Sequence, residues 1–316
     1  MIEVEDLSAQ YFSPRGIIGA VRNVSLHAYP GEAVGIVGES GSGKSTFALA
    51  VSRLLPRNAC LTSGRVLLDG EDLTALDYES FRQVRWRKLT LVFQGAMSSL
   101  NPTLKVGFQV AEPLIDSGQT REEALGRVET LFEGVGLPKG VSQMYPHQMS
   151  GGMKQRAVIA MALITNPKVV ILDEPTSALD VTIQAQIMNL LKKLKKEFQI
   201  SMMLITHDIA LTSYICNRLH IMYAGEIVES GPLKDILETP AHPYTRNLLS
   251  SIPLLRSEKI PEYIPGASPD PAQSPTGCRF HPRCRHGIKE CRIAPPPTRS
   301  IGQNQEVKCW LYGKPK

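Results

Sequence analysis

The chain has 316 residues and a formal net charge of +5, with 42% hydrophobic and 21% charged residues. This composition is typical of a globular protein that buries a core, and the length allows one large or two ordinary domains. Because no basic block or aromatic-interleaved stripe accompanies the mild charge, we expect no nucleic-acid partner. No apolar run reaches the roughly 18 residues of a membrane-spanning helix. The acidic start MIEVEDLSAQ lacks a basic leader, so we expect a cytoplasmic chain that associates with a membrane only through partners.

Strand-like apolar runs alternate with helical patterns along the first 250 residues. The runs are AVGIV (33–37), LTLVF (89–93), VVILD (169–173), MMLIT (202–206) and LHIMY (219–223). Such alternation predicts an α/β fold with a largely parallel sheet covered by helices. After Gln94 the pattern becomes mostly helical, and the clearest amphipathic stretch is 121–137. We therefore predict a helical subdomain at about 95–165.

The composition changes near residue 253, where proline becomes frequent and regular periodicity fades. Such a change is typical of a linker followed by a loop-rich segment. We therefore predict two domains, one at 1–255 and a small C-terminal module at 256–316. Because this module has little apolar sequence, we expect a metal to contribute to its stability.

The stretch GESGSGKST (38–46) lies between a strand-like run and a helical run. Five of its residues match the pattern G-x-x-x-x-G-K-[ST], namely Gly38, Gly41, Gly43, Lys44 and Ser45. In this pattern the glycines let backbone N–H groups surround phosphate oxygens, and the lysine adds charge near the β- and γ-phosphates. Ser45 is the expected Mg²⁺ ligand. The alternative interpretation is a glycine-rich turn without a ligand.

The stretch VVILDEP (169–175) carries two carboxylates directly after a buried strand. Asp173 is expected to hold the magnesium shell, and Glu174 to polarise an attacking water. Two acidic residues that merely cap a strand are the alternative, which is weak beside an intact phosphate loop.

The stretch MSGGMKQR (149–156) precedes the apolar helical run AVIAMALI. Ser150, Gly151 and Gly152 at a helix start would present backbone donors and a hydroxyl to an anion. A second anion site is surplus if the phosphate loop already encloses the triphosphate. We therefore expect this site to face the nucleotide of another subunit.

From about residue 2 to residue 255 the sequence resembles the ATP-binding subunits of ABC transporters. The motifs that carry the resemblance, in order, are GESGSGKS, Gln94, MSGGM, VILDEP, SALD (177–180) and His207. The resemblance implies a P-loop ABC nucleotide-binding domain with a helical subdomain, and ATP hydrolysis with Mg²⁺. It implies that Gln94 senses magnesium and the membrane subunits, that Asp180 communicates across a dimer, and that His207 contacts the γ-phosphate.

The same resemblance implies further nucleotide contacts. Ser40 and Thr46 join the phosphate-binding set. Tyr11 is the best match for the aromatic residue that stacks on adenine, and its neighbour Phe12 is the alternative.

The signature differs from the common LSGGQ at both ends, where Met149 and Met153 stand. This methionine form resembles one of the two ATPases of oligopeptide and dipeptide importers, as do QGAMSSLNP, ALDVTIQAQI and HPYTRNLLSSIP. The resemblance implies a second, non-identical ATPase, two transmembrane permease subunits, an extracellular substrate-binding protein and a peripheral position on the cytoplasmic face of the membrane. Oligosaccharide or nickel import is the alternative to peptide import. A non-transport ABC ATPase acting on nucleic acid would require a second cassette or long coiled-coil insertions, which the sequence lacks.

Four cysteines crowd the C-terminal module in the spacing C-x5-C-x6-C-x17-C, namely Cys278, Cys284, Cys291 and Cys309. In a cytoplasmic chain, clustered cysteines favour a metal over disulfides, and four thiolates suit zinc or an iron–sulfur cluster. The absence of a C-x-x-C pair weakens the zinc-ribbon interpretation. The stretch GCRFHPRC resembles the tail of peptide-importer ATPases, in some of which the matching cysteines hold a [4Fe–4S] cluster. Zinc and unmetallated thiols remain the alternatives.

Overall fold

The computed structural model describes residues 1–251, 264, 266–302 and 304–313. Within these residues the chain forms twelve strands and ten α-helices. The strands are β1 (Ile2–Ser13), β2 (Gly16–Ala28), β3 (Ala33–Val37), β4 (Ala59–Leu68), β5 (Glu71–Asp72), β6 (Leu89–Val92), β7 (Val169–Asp173), β8 (Ser201–Thr206), β9 (Arg218–Tyr223), β10 (Glu226–Pro232), β11 (Thr298–Ile301) and β12 (Gln305–Lys308). The helices are α1 (Lys44–Val51), α2 (Tyr78–Val84), α3 (Val106–Asp116), α4 (Arg121–Gly134), α5 (Gly151–Leu163), α6 (Val181–Phe198), α7 (Ile209–Thr212), α8 (Leu233–Glu238), α9 (Pro243–Ser250) and α10 (Glu290–Ile293). No helix in this described part is long and apolar enough to cross a membrane.

The chain divides into two compact units. The first comprises 1–27, 34–74 and the described residues from 205 onwards, and the second comprises 28–33 and 75–204. All five apolar runs predicted as strands form strands, with bounds that differ by one residue at most.

The first unit contains two kinds of strand pairing. A four-stranded sheet has the order β2-β1-β4-β5, in which β1 with β4 and β4 with β5 are antiparallel. The other strands have the order β11-β12-β10-β9-β3, in which only the β3–β9 pair is parallel. Strands β3 and β9, two of the five predicted runs, pair in parallel as predicted, whereas the antiparallel strands β10, β11 and β12 are additions that the sequence did not predict. The first addition arises locally, since Ala224 (φ 46°) and Gly225 (φ 87°) form a two-residue turn that folds β10 back onto β9 as a hairpin.

The second unit places β7 between β6 and β8, with β6 and β7 parallel. All five residues of β7 are buried, which explains its unbroken apolar run. In the same unit α3, α4 and α5 pack against one another. Helix α4 begins at a capping box in which Thr120 and Glu123 satisfy each other's backbone N–H groups. These helices lie within the range predicted for the helical subdomain.

The C-terminal segment contains two strands that fading periodicity did not predict. Strand β12 pairs with β10, where Glu229 lies opposite Val307, so the segment continues a sheet of the first unit. The short alternating strand QEVK buries only Gln305 and Val307, and four residues give too little pattern for prediction. The predicted boundary at 255/256 and most of the linker lie outside the described residues.

Candidate nucleotide site

The phosphate loop joins the fully buried strand β3 to helix α1, which begins at Lys44. A Cβ on Gly38 would lie 2.1 Å from the Met222 carbonyl oxygen, and one on Gly43 would lie 2.2 Å from that of Ala20. Gly41 has open space around it but a φ of 76°, which favours glycine for conformational reasons alone. Glycine is thus required for space at two positions and for backbone conformation at another.

The Lys44 side chain folds back across this loop and is 5% exposed. Its Nζ donates to the carbonyl oxygens of Gly38 (2.7 Å) and Glu39 (2.8 Å), and lies 3.3 Å from Ser42 Oγ. The backbone carbonyl groups of the loop therefore hold the Lys44 ammonium on the concave side of the loop, where the sequence predicts that phosphate binds.

The first turn of α1 carries Ser45 and Thr46, both half-buried. The Tyr11 hydroxyl lies 3.3 Å from Thr46 Oγ1, so Tyr11 is adjacent to the loop, whereas 49% of the Phe12 side chain is exposed. His207 is exposed directly after β8. The first unit contains Tyr11, the loop from Gly38 to Thr46 and His207. Within this loop Ser40 is exposed.

The second unit holds the predicted carboxylates. Asp173 ends β7 and is 5% exposed, while Glu174 adopts a φ of 49°, a conformation that few residues other than glycine occupy. Gln94 Nε2 donates to Glu174 Oε2 at 2.8 Å. The structure therefore brings together two residues that lie 80 positions apart and were predicted separately.

The expected Mg²⁺ ligands fit the ion by the chemistry of their donors. The Ser45 hydroxyl, the Asp173 carboxylate and the Gln94 amide supply only oxygen atoms, which this hard cation prefers.

The signature residues begin helix α5. Ser150 is its N-cap residue, and Oγ accepts from the Met153 N–H at 3.3 Å. Ser150 and Gly151 are exposed, and a Cβ on Gly152 would lie 3.1 Å from Ile183 Cγ2. Asp180 caps α6 in the same way, accepting from the Ile183 N–H at 3.0 Å. Both helix starts therefore present their first turns at the surface of the second unit.

The four C-terminal cysteines are free thiols, with Cys278 and Cys284 half-buried and Cys291 and Cys309 buried. Burial, together with the nearby charges of the other three, raises the pKa of Cys278 to about 12, while a hydrogen bond from the Phe280 N–H opposes this rise.

Backbone N–H groups also donate to the sulfurs of Cys284 and Cys309, from His286 and Leu311 respectively. Such donors are one of the influences that set the properties of thiolate-bound clusters. Among the described residues, however, no three His, Cys, Asp or Glu side chains are placed to hold a metal ion. The expected metal or cluster therefore receives no support from a preformed centre.

Sequence reasoning assigned no role at the phosphate loop to three residues, namely Glu39 within the loop and Tyr244 and Arg283, which contact it. Glu39, inside the loop motif, forms an ion pair with Arg283, and its N–H donates to the Tyr244 hydroxyl. No local sequence pattern links positions 39, 244 and 283, because the fold alone brings them together.

Comparison with known proteins agrees with this geometry. The sequence model described as "ABC transporter" matches residues 21–177, and the one described as "Oligopeptide/dipeptide transporter, C-terminal region" matches residues 228–291. A model described as an AAA domain of a type IV toxin system matches residues 142–213.

Similar proteins and structures extend the agreement along the chain. The chain is 43% identical to the oligopeptide transport ATP-binding protein OppD of Bacillus subtilis, over 98% of this chain and 88% of OppD. It is also 43% identical to a predicted peptide import ATP-binding protein of Brucella ovis, over 98% of this chain and 96% of the relative. A dimeric, post-hydrolysis structure of the ATP-binding cassette MJ0796 with ADP and Pi matches with a TM-score of 0.66 and 33% identity, covering 74% of this chain and 99% of that one. The chain therefore belongs to the ATP-hydrolysing subunits of ABC transporters, in the group of peptide import ATP-binding proteins.

Proposed function

We propose that this chain hydrolyses ATP to power an ABC importer of di- or oligopeptides. The observation that carries the proposal is similarity along 98% of the chain to proteins named for peptide import. The match of residues 228–291 to the C-terminal region of oligopeptide and dipeptide transporters supports it independently of the ATPase motifs.

In this proposal the phosphate loop binds the triphosphate through its backbone N–H groups and the N-terminal end of α1. Lys44 exchanges its bonds to the Gly38 and Glu39 carbonyl groups for the β- and γ-phosphates. Ser45, Asp173 and Gln94 hold Mg²⁺, which offsets phosphate charge. Tyr11 stacks on adenine, while Ser40 and Thr46 add phosphate contacts.

Glu174 orients and polarises the attacking water, and His207 contacts the γ-phosphate. The bond from Gln94 Nε2 orients the Glu174 carboxylate, which in this proposal accepts a proton from the attacking water. The chemical step thus depends on a side chain that a neighbouring loop orients.

A second, non-identical ATPase completes the site in this proposal. Ser150, Gly151 and Gly152 contact the partner's nucleotide, and Asp180 lies at the dimer interface. The exposed start of α5 and the dimeric MJ0796 cassette support this arrangement. Two permease subunits and an extracellular substrate-binding protein form the rest of the importer, and this chain associates peripherally with its cytoplasmic side. Nucleic acid has no part in this function.

For the C-terminal cysteines we propose a [4Fe–4S] cluster held by Cys278, Cys284, Cys291 and Cys309, with Zn²⁺ as the alternative. The clustering of the four cysteines in the sequence and the backbone N–H donors to sulfur support this proposal. A cluster and a zinc ion would both have to draw the sulfurs together on binding, since no preformed metal centre is found among the described residues. A cluster would supply redox sensitivity or structural support.

The cargo is tested with the assembled importer and its own binding protein. Stimulation of ATPase activity by oligopeptides, and not by an oligosaccharide or Ni²⁺, is the expected result. Stimulation by either alternative without a response to peptides would assign the same ATPase to a different cargo.

A further inference from the structure

Glu39 connects the phosphate loop to the cysteine-containing segment. Arg283, the residue before Cys284, donates from Nη1 to Glu39 Oε2 (2.7 Å) and from Nη2 to Glu39 Oε1 (3.0 Å). This fork binds both carboxylate oxygens, the geometry that gives arginine its advantage over lysine. The side chains are 7% and 23% exposed, so the pair is largely shielded from water.

Two further contacts fix Glu39 in the same position. Ser268 Oγ donates to Oε2 at 2.8 Å, and the Glu39 N–H donates to the Tyr244 hydroxyl at 2.9 Å. The pKa of Glu39 follows from these contacts, because burial would raise it but the bonds from Arg283 and Ser268 and the charges of Arg283 and Lys44 lower it overall. The carboxylate is therefore held in its ionised form.

Arg283 itself rests on a buried aromatic group. Its guanidinium lies 5.8 Å from the ring centroid of Tyr223 and donates to the Tyr223 hydroxyl at 3.3 Å. Tyr223, Tyr244 and Phe280 pack together with ring centroids 4.6–5.4 Å apart, and each is at most 2% exposed. A side chain supported in this way has little freedom to follow Glu39 if the loop moves, so the arginine sets the position of the loop.

The position of Glu39 affects that of Lys44, because the backbone carbonyl oxygen of Glu39 accepts a hydrogen bond from Lys44 Nζ. If Arg283 were absent, a partly buried carboxylate would remain beside Lys44 without its main counter-charge. The Glu39 carboxylate would compete with the phosphates for the Lys44 ammonium and would repel the phosphates of an approaching nucleotide. The loop would also lose the anchor that holds its second residue.

We infer that Arg283 is a positioning residue of the phosphate loop, through which the cysteine-containing segment sets nucleotide affinity. The inference rests on the proposed role of this loop in binding phosphate. It predicts a change in nucleotide binding without a matching change in the rate of the chemical step.

The test compares Arg283→Gln, Glu39→Gln and the double variant in the full-length chain by calorimetric titration with MgADP. Arg283→Gln is expected to raise the dissociation constant about tenfold through the uncompensated charge. The double variant, which has no lone charge, should return to within about threefold of wild type, because the two losses are coupled. In the assembled importer KM for ATP should rise with kcat nearly constant.

Tyr312→Phe is the matched control, since the Tyr312 hydroxyl joins the same C-terminal segment to Ala241 and Arg246 instead of the loop. It should leave MgADP affinity unchanged even if it lowers the thermal midpoint. Should Arg283→Gln fail to fold, Arg283→Lys keeps the charge but loses the fork, and is expected to weaken binding about threefold.

Wild-type affinity in the folded Arg283 variant, or a double variant as weak as Arg283→Gln, would overturn the inference. Lys44→Ala separates this failure from failure of the proposed function. If Lys44→Ala abolishes MgADP binding while Arg283→Gln does not affect it, only the positioning role is wrong. If Lys44→Ala binds normally, the phosphate loop is not the nucleotide site, and both proposals fail.

Discussion

Glu174→Gln should separate ATP binding from ATP hydrolysis. The substitution keeps the size of the side chain and leaves an amide oxygen able to accept from Gln94, whose Nε2 lies 2.8 Å from Glu174 Oε2. It removes the carboxylate that accepts a proton from the attacking water. The geometry of the site is therefore expected to survive while its base is lost.

The size of the effect follows from the role assigned to this carboxylate. A positioned general base contributes roughly 10²- to 10⁴-fold to a rate, or about 3–5 kcal/mol of barrier. Gln94→Ala retains the carboxylate but loses its neutral donor and a proposed Mg²⁺ ligand, so its rate should fall less than that of Glu174→Gln while its MgATP affinity falls as well. A lower hydrolysis rate in Glu174→Gln than in Gln94→Ala, with MgATP affinity retained only in Glu174→Gln, distinguishes the base from the residue that orients it and holds Mg²⁺.

Single-turnover hydrolysis by the assembled importer measures the chemical step directly, with MgATP affinity measured in parallel. We expect near-normal affinity and a rate at least a hundredfold below wild type for Glu174→Gln. A near-normal rate in this variant would refute the assignment of Glu174 as the base, and lost affinity would mean that the carboxylate also supports binding.

Three further predictions concern the supporting structure. Burial lowers the pKa of His242 from 6.5 to about 3, so the stability that its neutral form contributes above pH 6.5 should be lost as pH falls toward 3. In a pH series of denaturant titrations, wild type at pH 5 should have lost about 2 kcal/mol more unfolding free energy than His242→Asn. Equal losses in the two proteins would contradict this prediction. Gly38→Ala would place a Cβ 2.1 Å from the Met222 carbonyl and should abolish MgADP binding in calorimetry, whereas Gly126→Ala, with open space, should not. Anaerobic purification should give iron and sulfide near four per chain, lost in Cys284→Ser, while stoichiometric zinc would replace the cluster proposal with its alternative.

The sequence predicts strands and loop chemistry well where the pattern is local. Strand β3 coincides with AVGIV and β7 with VVILD, because strands buried on both faces require unbroken apolar runs. The N-terminal antiparallel sheet was not anticipated. Strand β1 alternates charged and apolar residues over Ile2–Glu5, but its register shifts after Glu5, which interrupts the period-two pattern.

The sequence does not predict contacts between positions that are far apart in the chain. The motif assigns Glu39 no role beyond an unspecified loop position, yet Arg283 binds both of its carboxylate oxygens across 244 residues of chain. The bond between Gln94 and Glu174 likewise depends on the folding of the second unit. Residue types at fixed spacing predicted the chemistry, whereas the partners that orient those residues emerge only from tertiary packing.

Peptide uptake tests the central claim most directly. The complete importer, reconstituted in proteoliposomes with its binding protein, should accumulate a labelled oligopeptide only when MgATP is present on the side of the ATPase subunits. Import should disappear when this chain carries Lys44→Ala, since the proposed phosphate contact is lost. ATP-dependent import that persists in that variant, or an importer that carries a sugar or nickel but no peptide, would contradict the account.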